Sequence, residues 1–191
     1  MKLIFATQNQ NKVLEIQTKL AGIHQLHSLK DLNYDQELRE DQETLEGNAL
    51  QKARFVYNEF GENCFADDSG LEIHALKGEP GVHSAHYAGA QRSFEDNMNL
   101  VLQKMNGVQN RSAQFRTVIA LILQGKEILL EGKCEGIITD TKIGSRGFGY
   151  DPIFLPNGYN QTFAEMNLEL KNKISHRAMA VNKLISSLGK L

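Results

Sequence analysis

The amino-acid sequence predicts an α/β protein, a mixed β-sheet with flanking helices, and three observations carry that prediction. Short apolar runs that suit buried strands alternate with segments of helical periodicity in the N-terminal third. Two β-branched runs, AQFRTVIALIL and KEILLEGKCEGIIT, flank a two-residue break at Gln124 and Gly125, the pattern of a long antiparallel hairpin. Near the end, Val181, Leu184, Ile185 and Leu188 recur at i, i+3, i+4 and i+7, and Gly189 stops that helix. Strands of both kinds make the sheet mixed rather than purely parallel.

In chain order, KLIFA (Lys2 to Ala6) reads as a buried strand and TQNQNK as the polar loop after it. Val13, Ile16 and Leu20 place a helix over Lys12 to Leu20. HQLHSL reads as a second strand, and Asp31 to Glu43 as an acidic irregular segment. Thr44 caps the next helix, which carries Leu45, Ala49, Leu50, Ala53, Val56 and Phe60. NCFA is expected to be a strand ending at an aspartate pair, and LEIHAL a separate half-exposed strand. KGEPGVHSAHYAG is a loop broken at Gly78, Pro80 and Gly81. Ser93 with Asp96 opens a helix to Met105, and Thr162 with Glu165 is expected to open another.

Only three prolines and no low-complexity run interrupt the chain, so one domain over residues 1–191 is expected. With 41% apolar residues the chain can bury a substantial core. A net charge of −2 offers no bulk attraction to nucleic acid, and no stable nucleic-acid partner is expected. No apolar stretch approaches the roughly 18–20 residues of a membrane span. MKLIFATQNQ turns polar too soon for a signal peptide, and Cys64 and Cys134 lack metal-ligand spacing. Reduced thiols and a cytoplasmic location are the expectation. Neither a Gly-x-Gly-x-x-Gly turn nor a Walker lysine motif follows the first strand, which takes support from two nucleotide-binding folds.

Five stretches are more polar than a fold alone requires. FADDSG puts Asp67 beside Asp68, where like charges repel unless a cation sits beside them; a solvated turn is the plainer reading. TQNQNK, with Thr7, Asn9 and Lys12, is either a capped helix start or a phosphate cradle. Glu40 and Asp68 are hard oxygen donors of the kind Mg²⁺ selects, or else loop charges in water. GSRGFGYDP lets backbone approach a ligand closely, with Phe148 and Tyr150 as flat faces and Asp151 as an acceptor, or else turns a corner. KNKISHR sets Lys171, His176 and Arg177 around a helix break. Cationic side chains at a helix N-terminus oppose the dipole unless something electron-rich, such as a purine carbonyl, binds there. Together the stretches suit a nucleoside triphosphate with magnesium.

FATQNQNK, GNALQKA, ADDSGLEI, GEPGVHSAHYAG, GFGYDPIF and SHRAMA, in this order, resemble the non-canonical purine nucleoside triphosphate pyrophosphatases nearly end to end. The resemblance implies an elongated mixed α/β sheet with flanking helices and a central substrate cleft, usually in a homodimer. It implies Mg²⁺-dependent hydrolysis of ITP, dITP and XTP to the monophosphate and pyrophosphate, which keeps these nucleotides out of DNA and RNA. Carried over by residue, Thr7, Asn9 and Lys12 match the triphosphate loop, and Glu40 and Asp68 the metal carboxylates. Asp68 also matches the general base, and Ser69 and Lys52 further substrate contacts. Phe148, Gly149, Tyr150 and Asp151 match the nucleoside loop, and Lys171, His176 and Arg177 the base-recognising residues.

Two departures stand out: Gly47 precedes Asn48 where many relatives carry an acidic residue, and His86 stands where many bacterial relatives carry arginine. The alternative function is a purine nucleotide sensor without turnover, which would need neither Asp68 nor Glu40. An enzyme for modified pyrimidine triphosphates is a third reading, and the His-Arg pair speaks against it.

Overall fold

A computed structural model describes residues 2–20 and 25–189. Six strands form one mixed sheet in the order β2-β1-β3-β4-β5-β6. They are β1 (Lys2–Phe5), β2 (Gln25–Ser28), β3 (Cys64–Ile73), β4 (Ser112–Leu123), β5 (Lys126–Ile138) and β6 (Phe154–Pro156). Five α-helices accompany them: α1 (Gln10–Leu20), α2 (Leu45–Phe60), α3 (Phe94–Lys104), α4 (Leu168–Ile174) and α5 (His176–Leu188). His24, the first residue of the second expected strand, lies outside the described residues.

The chain groups into two compact units. The first comprises Met1–Asp68, Thr117–Gly132 and Ala178–Leu191. Here β1 pairs in parallel with β2 and with β3, as strands joined through helical crossovers do. Its core holds Leu3, Phe5, Ile16, Phe65, Ile119 and Leu184. Phe5 and Phe65 stack with centroids 4.5 Å apart, a contact worth about 0.5–1.5 kcal/mol beyond its buried area. Thr44 caps α2, its hydroxyl accepting from Gly47 N–H. In the β4–β5 turn, Gln124 and Gly125 both take positive φ (50° and 78°), the backbone of a two-residue hairpin turn whose twist suits the strands.

The second unit comprises Ser69–Arg116 and Lys133–Arg177. Its core gathers Leu71, Ile73, Val101, Phe115, Ile138, Tyr150, Phe154 and Phe163. β6 pairs antiparallel with β5, Ile137 opposite Leu155. The Ser93 hydroxyl accepts from Asp96 N–H and starts α3.

Three expectations are corrected. The strand entering FADDSG does not end at the aspartates; β3 runs through them to Ile73. Only Ser69 and Glu72 of its ten residues are less than fully buried. β1 and β4 flank it on either side in the sheet, and Asp67 meets a lysine, so the charges need not leave for solvent. LEIHAL is therefore not a separate strand: Leu71 and Ile73 are buried, Glu72 between them is partly exposed, and His74–Leu76 turns off as a 3₁₀ segment. Thr162 and Glu165 close a turn, with Thr162 N–H donating to Glu165 Oε2 at 2.8 Å, but no helix opens there. The Thr162 hydroxyl donates to Ile143 O instead of capping, and α4 begins after Asn167, whose side chain accepts from Leu170 N–H.

Candidate active site

In the first unit, the loop after β1 is a capped helix start. Asn9 Oδ1 accepts from the N–H groups of Asn11 and Lys12 at 3.0 and 3.3 Å, and Thr7 Oγ1 accepts from Asn9 N–H at 3.2 Å. Thr7 is buried and keeps a hydroxyl proton to donate. Lys12, one turn into α1, reaches back to Asp67 Oδ1 at 3.0 Å.

Lys52 rises from α2 into the same group of charges. It is 5% exposed, donates to the Asp67 carbonyl at 2.7 Å, is ion-paired with Glu40, and lies 4.0 Å from Asp68 Oδ1. Burial lowers the Lys52 pKa, but Asp68, Glu40 and Asp67 outweigh it and the net shift is upward, so it stays an ammonium. For Glu40 burial pushes up, and Lys52 and Lys12 more than offset it, holding the carboxyl below its ordinary value. Asp68 is the opposite case: burial dominates, the lysines offset it only in part, and its carboxyl is raised. Asn48 Nδ2 donates to Asp68 Oδ2 at 3.1 Å.

In the second unit, Asp151 organises the glycine loop. Its Oδ2 accepts from Phe148 N–H at 2.8 Å and from Lys171 Nζ at 2.7 Å, and both charged groups are almost fully buried. Gly147 is needed for this closure: its φ is +74°, and a Cβ there would sit 2.0 Å from Asp151 Oδ2. The Lys171 ammonium lies 4.9 Å from the Phe148 ring centre and the Arg177 guanidinium 5.6 Å. Arg177 also donates to Ser69 Oγ at 3.2 Å. His176 and Arg177 open α5, and both are buried; the imidazole stacks on Phe115 with centroids 4.6 Å apart and planes 11° apart. Gly149 takes positive φ beside them. The Tyr150 ring belongs to the apolar core, and its hydroxyl donates to Ser84 O at 2.8 Å.

Thr7, Asn9, Lys12, Glu40, Lys52 and Asp68 thus gather in the first unit, and Ser69, Phe148, Gly149, Tyr150, Asp151, Lys171, His176 and Arg177 in the second. Sequence reading passed over Asn48, Ser84 and Phe115. A buried asparagine inside a helix was the available signal for the first, since asparagine has poor helix propensity and is costly to bury unpaired. Nothing in the sequence announces Phe115 as the platform of His176. His86 is exposed and meets His83 edge to face at 5.4 Å.

A model of the Ham1 family matches residues 3–187. The chain belongs to the Ham1 family. This Ham1 member is 51% identical over 188 residues to the dITP/XTP pyrophosphatase of Flavobacterium johnsoniae, covering 98% of each chain. It is 48% identical over 184 residues to the Porphyromonas gingivalis protein of the same name, covering 96% of this chain and 95% of that one. Among solved structures, the Staphylococcus aureus Ham1 protein superposes with a TM-score of 0.91 at 35% identity, covering 100% of this chain and 99% of that one. The mixed α/β fold expected from sequence is therefore the Ham1 fold.

Among the described residues no group of three or more His, Cys, Asp or Glu converges into a complete ligand cage. Magnesium rarely uses one; it takes one or two carboxylates and completes its shell with water and substrate phosphate. The donors here are carboxylates, all hard oxygen ligands. Glu40, Asp67 and Asp68 carry three negative charges against the two positive charges of Lys12 and Lys52, a sum of −1 for these five groups. A triphosphate meeting that sum would be repelled without an added cation. The residues present fit Mg²⁺.

Proposed function

We propose that this Ham1 family chain hydrolyses ITP, dITP and XTP to the nucleoside monophosphate and pyrophosphate, with Mg²⁺ as cofactor, as a cytoplasmic homodimer. The geometry of the Lys12–Asp67 and Glu40–Lys52–Asp68 group, in which Lys52, Asp67 and Asp68 are buried, carries the reading, and the dITP/XTP pyrophosphatase relatives supply its substrate class. No helix among the described residues is long and apolar enough to cross a membrane.

Asp68 and Glu40 would hold the Mg²⁺, which when bound neutralises phosphate charge and eases departure of pyrophosphate. The Asp68 carboxylate orients the attacking water and takes its proton as the water oxygen closes on the α-phosphorus. The bond from that phosphorus to the bridging oxygen then breaks. Lys12 and Lys52 offset charge on the phosphate oxygens, and Thr7 and Asn9 shape the loop that receives them. Positioning and charge neutralisation of this kind are most of what phosphoryl transfer requires.

The base is handled by the second set. Phe148 offers a stacking face, and Asp151 holds both its backbone and Lys171 in register. Ser69 and Gly149 contribute contacts at the same set, and Tyr150 anchors the loop through Ser84. Lys171, His176 and Arg177 supply donors for purine carbonyls. A 6-amino group would set donor against donor, and guanine does so at its 2-amino group. Each unsatisfied group costs about 1–3 kcal/mol.

A triphosphate panel with pyrophosphate and orthophosphate measured separately tests the proposal. Pyrophosphate is expected from ITP, dITP and XTP, with far slower release from ATP and GTP. Stepwise orthophosphate, or equal rates on ATP, would overturn it.

A further inference from the structure

Asn48 is 2% exposed, sits in the first turns of α2, and is bonded on both sides of its carboxamide. Oδ1 accepts from the backbone N–H of Gln42 at 2.9 Å, and Nδ2 donates to Asp68 Oδ2 at 3.1 Å. The two partners fix the orientation of the amide, because an N–H demands the oxygen and a carboxylate demands the NH₂. Gln42 belongs to the acidic segment that carries Glu40. One side chain therefore ties the Glu40 segment to the Asp68 carboxylate, within the first unit. A second tie runs alongside: Gln51, on α2, donates to Asp41 Oδ1 at 2.6 Å and accepts from Asp41 N–H at 3.3 Å.

Gly47 makes room for this arrangement. A Cβ at position 47 would lie 2.7 Å from Gln42 Cβ and 3.1 Å from Thr44 Oγ1. The first of these atoms is fixed close to backbone, so the segment would have to shift away from α2 and from Asn48.

We infer that Asn48 is a positioning residue for the reaction, holding Asp68 and the Glu40 segment in one geometry, with Gly47 as the space that lets that segment reach it. The inference rests on the pyrophosphatase reading above. No other small side chain serves both partners. Leucine leaves an N–H and a carboxylate oxygen without their bonds. Aspartate still accepts from Gln42 but repels Asp68.

That last property separates a positioning role from a merely structural one. Asn48→Asp, Asn48→Ala and the unaltered enzyme are compared by steady-state kinetics on ITP and by hydrogen exchange at the Gln42 amide, measured without nucleotide or metal. Asn48→Asp is expected to keep Gln42 protection while kcat falls about 10–100-fold with KM little changed, as misplacement of a catalytic group does. Asn48→Ala is expected to lose both. Gly47→Ala, which leaves Asn48 in place, is expected to lose Gln42 protection and part of kcat together. An Asn48→Asp enzyme with undiminished kcat would overturn the inference, as would one that loses kcat and Gln42 protection together, since that means general loosening of α2. If the unaltered enzyme released no pyrophosphate from ITP, the functional reading would fail and take this inference with it; an active unaltered enzyme beside an equally active Asn48→Asp variant would sink the inference alone.

Discussion

The two clusters of polar residues are balanced in different ways. Around Lys12 and Lys52, three carboxylates outnumber two ammonium groups, and burial raises Asp68. Around Phe148 one carboxylate, Asp151, is paired with Lys171, and aromatic rings face the Lys171 and Arg177 cations. Under the proposed function the first cluster receives Mg²⁺ and the triphosphate together. The second joins a buried ion pair to a ring face with a further cation, Arg177, over it. A nucleotide has parts with these two chemistries, a polyanion and a planar heterocycle.

The contrast can be broken most severely at Asp68. Asp68→Asn keeps the shape and the bond from Asn48 but removes charge and basicity, and kcat on ITP is expected to fall about 10²–10⁴-fold. A folded variant of near-normal activity would remove Asp68 from the chemistry. In the Phe148 cluster the larger effect falls on stability. Lys171→Met takes the ammonium from a carboxylate that is only 2% exposed, and losing one partner of a buried pair costs about 3–5 kcal/mol. Calorimetry should show Tm lowered by roughly 6–20 °C; an unchanged Tm would mean that Asp151 does not depend on the pair. Phe148→Leu keeps apolar bulk but removes the ring face, and KM for ITP should rise about 5–30-fold with kcat little changed. Equal KM values would take Phe148 out of base binding.

The smallest effect concerns the thiols, which belong to neither cluster. Burial pushes Cys64 up to about 12 and Cys134 to about 11, from an ordinary 9.0. Both folded values are raised, so the protonated thiols contribute stability that is complete below about pH 9 and is lost as pH climbs toward the folded values. Iodoacetamide near pH 8.5 should label either thiol at least 100-fold more slowly in the native protein than in denaturant. Rapid native labelling would show that the thiols are neither buried nor suppressed.

Much of the fold was legible in the sequence because local chemistry agreed with the final structure. Thr44 and Ser93 cap where side chains of their type should. Gln124–Gly125 turns because glycine tolerates positive φ, and Ser175 separates two helices at the break read between Lys171 and Arg177. The course of β3 was not legible. Two aspartates followed by serine and glycine are turn chemistry locally, and what keeps them in a strand is non-local: neighbouring strands, and a lysine that is 55 residues away in sequence. The candidate site shows the same division. Residue types at Lys12, Asp68, Phe148 and Arg177 announced charge and stacking. The bond from Asn48 to Asp68, and the Phe115 platform under His176, depend on distant parts of the chain meeting, which spacing does not encode.

Binding without turnover tests the charge imbalance at Asp68 most directly. The affinity for a non-hydrolysable α,β-methylene analogue of ITP would be measured by calorimetry, with Mg²⁺ and in EDTA, for the unaltered protein and for Asp68→Asn. Removing the cation is expected to weaken binding of the unaltered protein at least 10-fold, and Asp68→Asn, with one negative charge fewer, is expected to lose much less. Equal affinity in Mg²⁺ and EDTA for the unaltered protein would contradict this.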